Sequence, residues 1–272
     1  MMTFLFWNIK KNPLQKIIGD LAEIHEVDVF ILAECEIEQS VLLTELNSRP
    51  GLQYSSPFSV SRKVTIYTRF PGDWLTPKLE EDGLSIRHFV NPIMDTDILI
   101  VAAHLRSKLY LGESDQLSLA PRWRQRIEEA EKEVGHKRTV VVGDLNMNPF
   151  DSGVISSEGF HGIMDKSIAE RGSRMVSGQM RDFFYNPMWS LFGDESEGPP
   201  GSYYYDASSQ PLNYYWHIFD QVLVRPELVP LFPHTELRFL TDANSLSLTN
   251  ARGIPDSSTI SDHLPLLFKL NI

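Results

Sequence analysis

The sequence predicts a mixed α/β (α+β) fold in which two packed, mostly antiparallel β-sheets carry helices on their outer faces. Apolar, β-branched runs of strand length recur along the chain. Segments with helical periodicity separate the early runs, whereas loops and short connections join the later ones. This mixture is typical of layered sheets whose helices lie on the outside.

The strands are predicted where four or more apolar or alternating residues stand between turn-forming or charged residues. The continuous runs at 29–33 and 139–142 indicate strands that are buried on both faces. The predicted strands are 3–7, 27–33, 63–68, 85–90, 97–104, 138–143, 217–224, 237–240 and 264–270.

Three segments are predicted as helices. Segment 13–25 has Pro13 in its first turn, and its apolar face consists of Ile17, Ile18, Leu21 and Ile24. Segment 38–47 is the second. The third, 121–134, has Trp123, Ile127, Ala130 and Val134 at helical spacing and ends before Gly135.

The chain is expected to fold as a single catalytic domain over residues 1–272. No linker, low-complexity tract or fixed-period repeat divides it, and similar polar motifs occur from Asn8 to His263. It has no basic segment followed by a long apolar stretch at its start, and no run of the ~20 apolar residues that a membrane span needs. The single cysteine, Cys35, excludes an intramolecular disulfide and suits a reducing compartment. A cytoplasmic protein without an obligate protein partner is predicted.

The charge of the chain limits the ways in which it could bind nucleic acid. A net charge of −11 and a pI near 5.2 argue against broad electrostatic adhesion to phosphates. A local basic rim is still compatible with this total, since Arg106 and Lys108 follow the strand that ends at His104. The arginines at 122, 124 and 126 either extend that rim or form a solvated helix face paired with nearby glutamates.

The segment from 171 to 217 is rich in aromatic residues and is predicted as a long loop. Aromatic clusters occur at 183–185, 203–205 and 214–216, with glycines and prolines between them. Such rings can stack on bases or sugars, which would suit a nucleic-acid substrate. They can equally form the loop's own small core, because a loop of this length needs packing.

Polar residues stand where several of the predicted strands end. A polar group appended to a buried run lies at a sheet edge, so these residues are expected to face one shared cleft. Taken singly, each has an ordinary structural explanation as a turn residue or a hydrogen-bonding partner. They are Asn8, Glu34, His104, Asp144 with Asn146, Asp220, and Asp262 with His263.

The residue types suggest metal-assisted phosphate chemistry. Glu34, Asn8 and Asp262 could supply the oxygen ligands that Mg²⁺ prefers, with Mn²⁺ as a substitute. Asp144 could position a water molecule, and Asn146 could donate a hydrogen bond to phosphate.

The histidines complete this hypothetical site. Asp220 could accept a hydrogen bond from His263 and favour its imidazolium form, while His104 contacts the phosphate from the opposite side.

Six segments, taken in order, resemble the endonuclease/exonuclease/phosphatase superfamily, the metal-dependent phosphoesterases similar to DNase I. The Gly-Asp-x-Asn and Ser-Asp-His segments are the most specific, and the matches span nearly the whole chain. They are Trp7-Asn8-Ile9, Leu32-Ala33-Glu34, His104-Leu105-Arg106-Ser107, Gly143-Asp144-Leu145-Asn146, Phe219-Asp220-Gln221-Val222 and Ser261-Asp262-His263-Leu264-Pro265.

The resemblance implies a four-layer, DNase I-like sandwich that hydrolyses a phosphoester by in-line attack of water. It implies these roles: Glu34 as the principal Mg²⁺ ligand with Asn8 and Asp262 assisting, Asp144 orienting or activating water, Asn146 and His104 binding phosphate, and the Asp220–His263 pair stabilising the transition state. Several repair nucleases of the family have an acid two positions after the first Asn, where this chain has Lys10. The residues around His104 look more like the nuclease and phosphodiesterase branches that use His.

Three hypotheses for function follow. The first is a Mg²⁺-dependent nuclease that cleaves DNA or RNA phosphodiesters and contacts the strand through Arg106, Lys108 and loop aromatics. The second is a phosphatase or phosphodiesterase for a small molecule or lipid headgroup, which fits the acidic pI. The third is a binding module of the same fold without catalysis. Salt dependence separates the first two, because binding of a polynucleotide weakens steeply as salt rises.

Overall fold

Two large sheets form the centre of the protein. The structure is a computed structural model that describes residues 1–61, 63–93, 96–105, 113–206, 208–209 and 211–272, with side chains in the segment 113–118 outside the description. The strands are β1 (Met2–Asn8), β2 (Val29–Ala33), β3 (Val64–Thr68), β4 (Leu75–Glu81), β5 (Leu84–Asn91), β6 (Thr96–His104), β7 (Thr139–Asp144), β8 (Gly162–Ile163), β9 (Ser173–Val176), β10 (Gln179–Asp182), β11 (Phe184–Tyr185), β12 (Tyr203–Tyr204), β13 (Trp216–His217), β14 (Asp220–Val224), β15 (Arg238–Phe239), β16 (Asp242–Ala243), β17 (Leu246–Ser247) and β18 (Leu266–Leu270).

Helices flank the two sheets. The α-helices are α1 (Gln15–His25), α2 (Gln39–Asn47), α3 (Glu113–Val134), α4 (Ser152–Ile155) and α5 (Lys166–Ala169), and the short 3₁₀ helices are Gly72–Trp74, Pro187–Leu191, Pro226–Leu231 and His234–Glu236. None of the helices in the described part of the chain combines the length and the apolar character of a membrane span.

The first sheet has five strands in the order β15-β18-β1-β2-β3. Only β1 and β2 run parallel, with Asn8 beside Ala33, and the other neighbours are antiparallel. Strands β1 and β18 come from the two ends of the described chain, and Phe6 pairs with Leu266. The N-terminal and C-terminal motifs are therefore adjacent.

The second sheet has seven strands in the order β4-β5-β6-β7-β14-β11-β8. Strands β6 and β7 are parallel, and His104 pairs with Asp144. Strand β14 runs antiparallel to β7, so its first residue, Asp220, pairs with Asp144. Three polar residues from three strands thus meet at one edge of this sheet.

Two apolar clusters hold the layers together. The larger one lies between the sheets and includes Phe4, Phe6, Ile100, Val142 and Phe268, all buried. The smaller one lies between the second sheet and α3, on the opposite face. Alternation along β7 explains this arrangement, because successive strand residues point to opposite faces of a sheet. The smaller cluster contains Val141, Leu223, Trp123 and Ile127.

The predicted fold class is confirmed, and every predicted strand overlaps an observed one. The predicted helix 121–134 was wrong at its start, because α3 begins at Glu113 and Pro121 lies inside it. The predicted strand 217–224 is divided into β13 and β14. Gly135 ends α3 as predicted, with a positive φ of 82° and a backbone hydrogen bond to Glu131.

The aromatic segment is more ordered than the predicted long loop. It contains the hairpin β9–β10, the short strand β11, one 3₁₀ helix and the antiparallel pair β12–β13. Phe183, Phe184 and Tyr185 are buried, so this part of the segment packs into the protein. In contrast, Tyr214 and Tyr215 are each 45% exposed. The small-core interpretation therefore applies to residues 183–185, whereas stacking of the exposed rings on bases stays a prediction.

Candidate active site

Strand ends from both sheets converge on a single polar cluster. Asn8 ends β1, Glu34 follows β2, His104 ends β6, Asp144 ends β7, and Asp220 begins β14. His263 precedes β18, which pairs with β1. The Trp7 indole donates to the carbonyl of His263 (2.8 Å), and the Ser261 hydroxyl donates to the carbonyl of Asn8 (2.7 Å). These two bonds join the first and last motifs.

Asn8 bridges the acids on one side of the cluster. Its Nδ2 donates to Asp144 Oδ2 at 3.1 Å and lies 3.5 Å from Glu34 Oε1. His104 Nε2 lies 3.8 Å from the same two oxygens. Glu34 adopts a left-handed backbone (φ 49°), which is uncommon for a residue other than glycine and occurs often at functional sites. The side chains of Asp144 and His104 are 2% and 11% exposed, so only Glu34, at 34%, opens substantially to solvent.

Asp220 and His263 form a buried ion pair. His263 Nδ1 lies 2.8 Å from Asp220 Oδ2, so the ring donates from Nδ1 and directs Nε2 towards Asp144 Oδ2, 3.9 Å away. Burial alone lowers the pKa of His263, but the Asp220 charge and hydrogen bond outweigh it and raise that pKa to about 10. His263 is thus an imidazolium at neutral pH. This confirms the predicted contact between the two residues.

The turn after β7 is held by the motif itself. The backbone N–H of Asn146 donates to Asp144 Oδ1 (2.8 Å), and the Asn146 amide donates to the carbonyl of Leu105 (2.8 Å). Asn146 has a left-handed φ of 49°. The Asx-type turn that the ordinary structural explanation predicted is therefore present. It also holds the Asp144 carboxylate so that its other oxygen, Oδ2, faces the cluster. Burial raises the pKa of Asp144, although the His263 charge opposes that rise.

Asp262 is placed at the rim of the site. Its carboxylate lies 3.4 Å from the Lys10 ammonium, and their side chains are 26% and 42% exposed. Burial raises the pKa of Tyr203, and the charge of Asp262 adds to that rise. The sequence did not assign Lys10 a function, although its position two residues after Asn8 marked it as unusual.

Two predicted substrate contacts cannot be placed. Arg106 and Lys108 lie outside the described residues. The helix arginines, in contrast, are all ion-paired: Arg122 with Glu81 of β4 (2.9 Å), Arg124 with Glu128 (2.7 Å), and Arg126 with Glu81 and Glu129 (3.1 and 3.0 Å). The solvated-face interpretation holds only in part, because Arg124 is buried. They do not extend a basic rim.

A chain of aromatic rings leads away from His263. The sequence predicted that loop aromatics contact the substrate, but not that one of them, Tyr203, packs against His263. Ring centroids are 4.8 Å apart for Tyr203 and His263, 5.3 Å for Tyr203 and Phe219, 4.7 Å for Phe219 and His217, and 6.0 Å for His217 and Tyr214. The outermost ring, Tyr214, is among the exposed side chains. The richness of the segment in tyrosine was the only sequence signal.

The donor set fits a hard divalent cation. Hard cations such as Mg²⁺ and Ca²⁺ are bound by carboxylate and amide oxygens, and the cluster offers Glu34, Asp144, Asp262 and the amide of Asn8. Ligating atoms of Asp144, Asp220 and His263 also lie within 4.8 Å of one another. Asp220 Oδ1 is buried and has no hydrogen-bond partner among the described residues, so an unpaired carboxylate oxygen lies beside the site.

A second group with metal-ligand chemistry lies at the start of β6 and is better explained as an ion-pair network. His88 and His136 place Nε2 3.2 and 3.0 Å from Asp97 Oδ2. The guanidinium of Arg138 also binds this carboxylate, and the Arg138 backbone N–H donates to His136 Nδ1 (3.1 Å). Burial lowers the pKa of His136. Because Nδ1 accepts the hydrogen bond from Arg138, the neutral ring carries its proton on Nε2, which lies near Asp97 without forming a hydrogen bond.

A two-sheet α/β sandwich with acids, amides and a buried Asp–His pair at one edge defines a phosphoesterase class of site. A family model described as "Endonuclease/Exonuclease/phosphatase family" matches residues 5–263. The chain belongs to this family of metal-dependent hydrolases acting on phosphoester bonds. No curated protein matches the sequence.

Solved structures share the fold at low sequence identity. An AP endonuclease from Archaeoglobus fulgidus is 16% identical with a TM-score of 0.58, and the match covers 100% of both chains. The 3′ phosphatase NExo from Neisseria, bound to a product DNA hairpin, is 13% identical with a TM-score of 0.56 and 100% coverage of both. The human Nocturnin catalytic domain is 14% identical with a TM-score of 0.55, covering 98% of this chain and 93% of that one.

Proposed function

We propose that this protein is a Mg²⁺-dependent nuclease that hydrolyses phosphodiester bonds of DNA or RNA, with residues 1–272 acting as one catalytic domain. The observation that carries the choice of substrate is the chain of aromatic rings that begins at His263 and ends at the exposed Tyr214. Aromatic side chains next to a phosphate site suit successive bases, which stack on them whatever the sequence. Two similar structures, the AP endonuclease and the phosphatase bound to a DNA hairpin, act on or bind DNA.

In this mechanism the acids and amides hold the metal and the water. Glu34, with Asn8 and Asp262, would hold Mg²⁺, which when bound would supply Lewis-acid polarisation of a phosphoryl oxygen. Asp144 is buried beside the cluster. It orients the attacking water or accepts a proton from it. Its raised pKa favours proton uptake.

The histidines act on the phosphate. The His263 imidazolium, held by Asp220, directs Nε2 towards the cluster and stabilises the charge that develops on the phosphoryl oxygens. His104 and Asn146 bind the phosphate from the side of the second sheet. The ion pair is preorganised, so no reorientation is needed when this charge develops.

The test is hydrolysis of a substrate panel with Mg²⁺, and with Mn²⁺ as a substitute. The panel contains single- and double-stranded DNA, RNA, bis-p-nitrophenyl phosphate, p-nitrophenyl phosphate and phosphoinositides. Asp144→Ala should lower turnover at least about a hundredfold, whereas the exposed Asp73→Ala should not change it. Equal rates in both variants would remove Asp144 from the mechanism. Activity restricted to monoesters or lipids would replace the nuclease by a phosphatase.

The aromatic chain has its own test. Tyr214→Ala should weaken polynucleotide binding roughly tenfold, since stacking on one base contributes about 1–3 kcal/mol. Cleavage of bis-p-nitrophenyl phosphate, which has no bases, should be unchanged. Affinity for the polynucleotide should also fall steeply with salt. A Tyr214→Ala effect that is equal on both substrates would show that the ring supports the fold rather than the strand.

A cytoplasmic location and the absence of an obligate protein partner stay predictions from the sequence. The small-molecule or lipid phosphodiesterase is the second candidate, and the acidic pI of 5.2 is the observation that favours it.

A further inference from the structure

Phe58 is an apolar side chain that projects into solvent. Of the large apolar side chains in the described part of the chain it has the largest exposed fraction, 84%, and Val60 is 62% exposed. Both belong to residues 56–61, a segment before β3 that we call the rim loop. Single exposed apolar residues are common on protein surfaces and need no function. The contacts and the position of the rim loop distinguish Phe58 from such residues.

A buried ion pair holds the backbone of the rim loop in place. The Arg87 side chain on β5 is 1% exposed, and its Nη2 donates to the carbonyl oxygen of Phe58 (2.8 Å). The same nitrogen lies 2.6 Å from Glu80 Oε1 of β4, and the other oxygen of Glu80 accepts a hydrogen bond from the Ser59 hydroxyl. Burial of a charged pair costs free energy, and here the pair fixes the backbone from which Phe58 projects. An aromatic ring on a fixed backbone loses little conformational entropy when it binds a ligand.

The rim loop leads into β3 next to the active site. The backbone N–H of Glu34 donates to the carbonyl of Lys63, the residue before β3 (3.3 Å). The backbone N–H of His104 donates to the carbonyl of Gly83, in the turn between β4 and β5 (2.7 Å). A Cβ atom built on Gly83 would lie 3.6 Å from Lys63 Cδ, so the Lys63 side chain lies against that turn. The rim loop is therefore on the Glu34 and His104 side of the site.

The aromatic chain from His263 lies on the opposite flank. In the first sheet, β2 and β3 stand on one side of β1 and β18 stands on the other, and in the second sheet β6, β5 and β4 stand on one side of β7 and β14 stands on the other. Strand β3 packs on β6, and β1 packs on β7 and β14, so the two sheets are aligned in the same direction. Tyr203 packs against His263 on the β18 and β14 flank. Glu34 and Asp144 therefore lie between Phe58 and the aromatic chain.

This arrangement suits a polynucleotide that crosses the site. Every base has a flat face, so rings on both flanks can stack on bases on both sides of the phosphate that is cleaved. A phosphoester without bases offers nothing for Phe58 to stack on. Stacking on a neutral ring also needs no basic surface, which fits the net charge of −11. Lys63, the lysine next to the rim loop, is paired with Asp82 (3.1 Å).

We propose that Phe58 stacks on a base on the β3 side of the scissile phosphate, opposite the rings from Tyr203 to Tyr214, so that the substrate is bound on both sides of the bond and is cleaved internally. The inference rests on the proposed nuclease function. Phe58 is a specificity-determining residue, because it favours substrates that extend past the phosphate on its own flank. It contacts a base away from the reacting atoms, so its loss changes KM more than kcat.

The first measurement compares variants on the polynucleotide that the wild-type protein cleaves in the substrate panel. Phe58→Ala should raise KM for a strand of about 12 nucleotides roughly tenfold with little change in kcat, because one stacked base is lost. Phe58→Leu keeps an apolar side chain without a ring and should resemble Phe58→Ala, whereas Phe58→Tyr should resemble the wild type. Circular dichroism and thermal unfolding check that each variant is folded.

Ile93→Ala is the matched control for this comparison. Ile93 is 82% exposed, but it lies in the turn between β5 and β6, at the end of β6 away from His104. It removes as exposed an apolar side chain as Phe58→Ala does, at the opposite end of the same sheet. Its KM and kcat should equal those of the wild type.

The second measurement locates the stacked bases. Strands that carry the fluorescent base 2-aminopurine at successive positions are bound to the Asp144→Ala protein, and fluorescence falls where that base stacks on a ring. We expect quenched positions on both sides of the scissile bond. Adding Phe58→Ala should restore fluorescence on one side, and adding Tyr214→Ala should restore it on the other. A circular strand, which has no ends, should be cleaved by the wild-type protein.

Several outcomes would overturn the inference while the nuclease function stands. They are a wild-type KM in Phe58→Ala or in Phe58→Leu, recovery of fluorescence on the same side in both variants, and a circular strand that stays intact while the linear one is degraded. If the wild-type protein cleaves no polynucleotide of the panel, the proposed function itself fails, and the role of Phe58 fails with it.

Discussion

At the scale of single residues, the Asp220–His263 pair determines the charge at the catalytic end of the cluster. His263 is buried, and burial disfavours its charged form. Asp220 reverses that effect through a 2.8 Å hydrogen bond. The contribution of this pair to stability is fully present below the unfolded pKa of about 6.5, and it is lost as the pH rises through the folded value of about 10.

Asp220→Asn should shift the pH dependence of catalysis. Without the carboxylate, burial lowers the pKa of His263, so the imidazolium needed for transition-state charge is lost at lower pH. We expect kcat/KM of the variant to fall as the pH is raised from 6 to 8, because His263 loses its proton in this range. In the wild-type protein His263 keeps its proton over this range, so its loss does not lower kcat/KM. Rate profiles between pH 5.5 and 9.5, with ring-nitrogen NMR of His263, measure this.

The same variant should change the free energy of unfolding in a pH-dependent way. The deficit relative to wild type should be largest near pH 6, about 3 kcal/mol or more, and should shrink as the pH approaches 10. The exposed Asp73→Asn serves as the control for both measurements. Parallel pH profiles for wild type and Asp220→Asn would contradict the assignment of the imidazolium.

At the scale of elements, the close approach of β6 and β7 explains the glycine of the Gly-Asp-x-Asn motif. A Cβ added to Gly143 would lie 1.8 Å from the carbonyl oxygen of Ala103 on the neighbouring strand. This contact is with backbone, so the strands themselves would have to move apart. His104 and Asp144 stand one residue further along the same two strands and pair with each other.

Gly143→Ala should therefore lower both stability and activity. We expect loss of at least about 2 kcal/mol from overpacking and a fall in kcat larger than the loss of folded protein explains, because His104 and Asp144 are displaced. Gly72→Ala is the control, since its added Cβ meets nothing within 4 Å. Urea unfolding and the rate per folded molecule measure the two effects. A Gly143→Ala enzyme with wild-type kcat would show that the strands absorb the methyl group elsewhere.

The strands that could be predicted from sequence are those that contain a run of several apolar residues. Buried runs such as β2 and β7 carry that signal in consecutive residues. The two-residue strands β8, β11 and β12 do not, because two residues define no period and their pairing depends on distant partners. The start of α3 was missed because Pro121 resembles a first-turn proline and the preceding residues are mostly polar.

The residues of the site likewise divide into those that could be predicted from sequence and those that could not. Asn8, Glu34 and Asp144 were predictable, because each stands at the end of a buried run and strand ends meet at a sheet edge. The positions of Lys10 and Tyr203 were not, because they depend on contacts with Asp262 and His263, far away in sequence. Residues 106–112 lie outside the described residues, so the predicted roles of Arg106 and Lys108 stay predictions.

At the scale of the whole molecule, a buried ion pair joins the second sheet to α3 at the end away from the site. Arg225, just after β14, binds Glu131 of α3 through two hydrogen bonds of 2.8 and 3.0 Å, and both side chains are almost fully buried. The Thr139 hydroxyl at the start of β7 donates to Glu131, and Arg225 also donates to the carbonyl of Phe183. The guanidinium carbon lies 3.9 Å from the centre of the Phe184 ring.

This cluster ties together α3, β7, β14 and the aromatic segment, so removing one of its charges should affect the cooperative unfolding of the chain. Arg225→Met leaves Glu131 buried without its cation, and we expect a loss of about 3–5 kcal/mol. In the double variant Glu131→Leu/Arg225→Met most of that loss should be recovered, because no unpaired charge remains. Arg126→Met, which removes the surface ion pairs of Arg126 with Glu129 of the same helix and with Glu81 of β4, should be indistinguishable from wild type.

Urea unfolding followed by tryptophan fluorescence measures these differences, and the rate per folded molecule measures the consequence for function. Arg225 stands at the opposite end of β14 from Asp220, so a folded Arg225→Met protein should retain its turnover number. If the double variant were as unstable as Arg225→Met, the hydrogen bonds to Thr139 and Phe183, rather than the unpaired charge, would be what the fold requires. If turnover fell with stability intact, the pair would also position Asp220, and the site would depend on the whole length of β14.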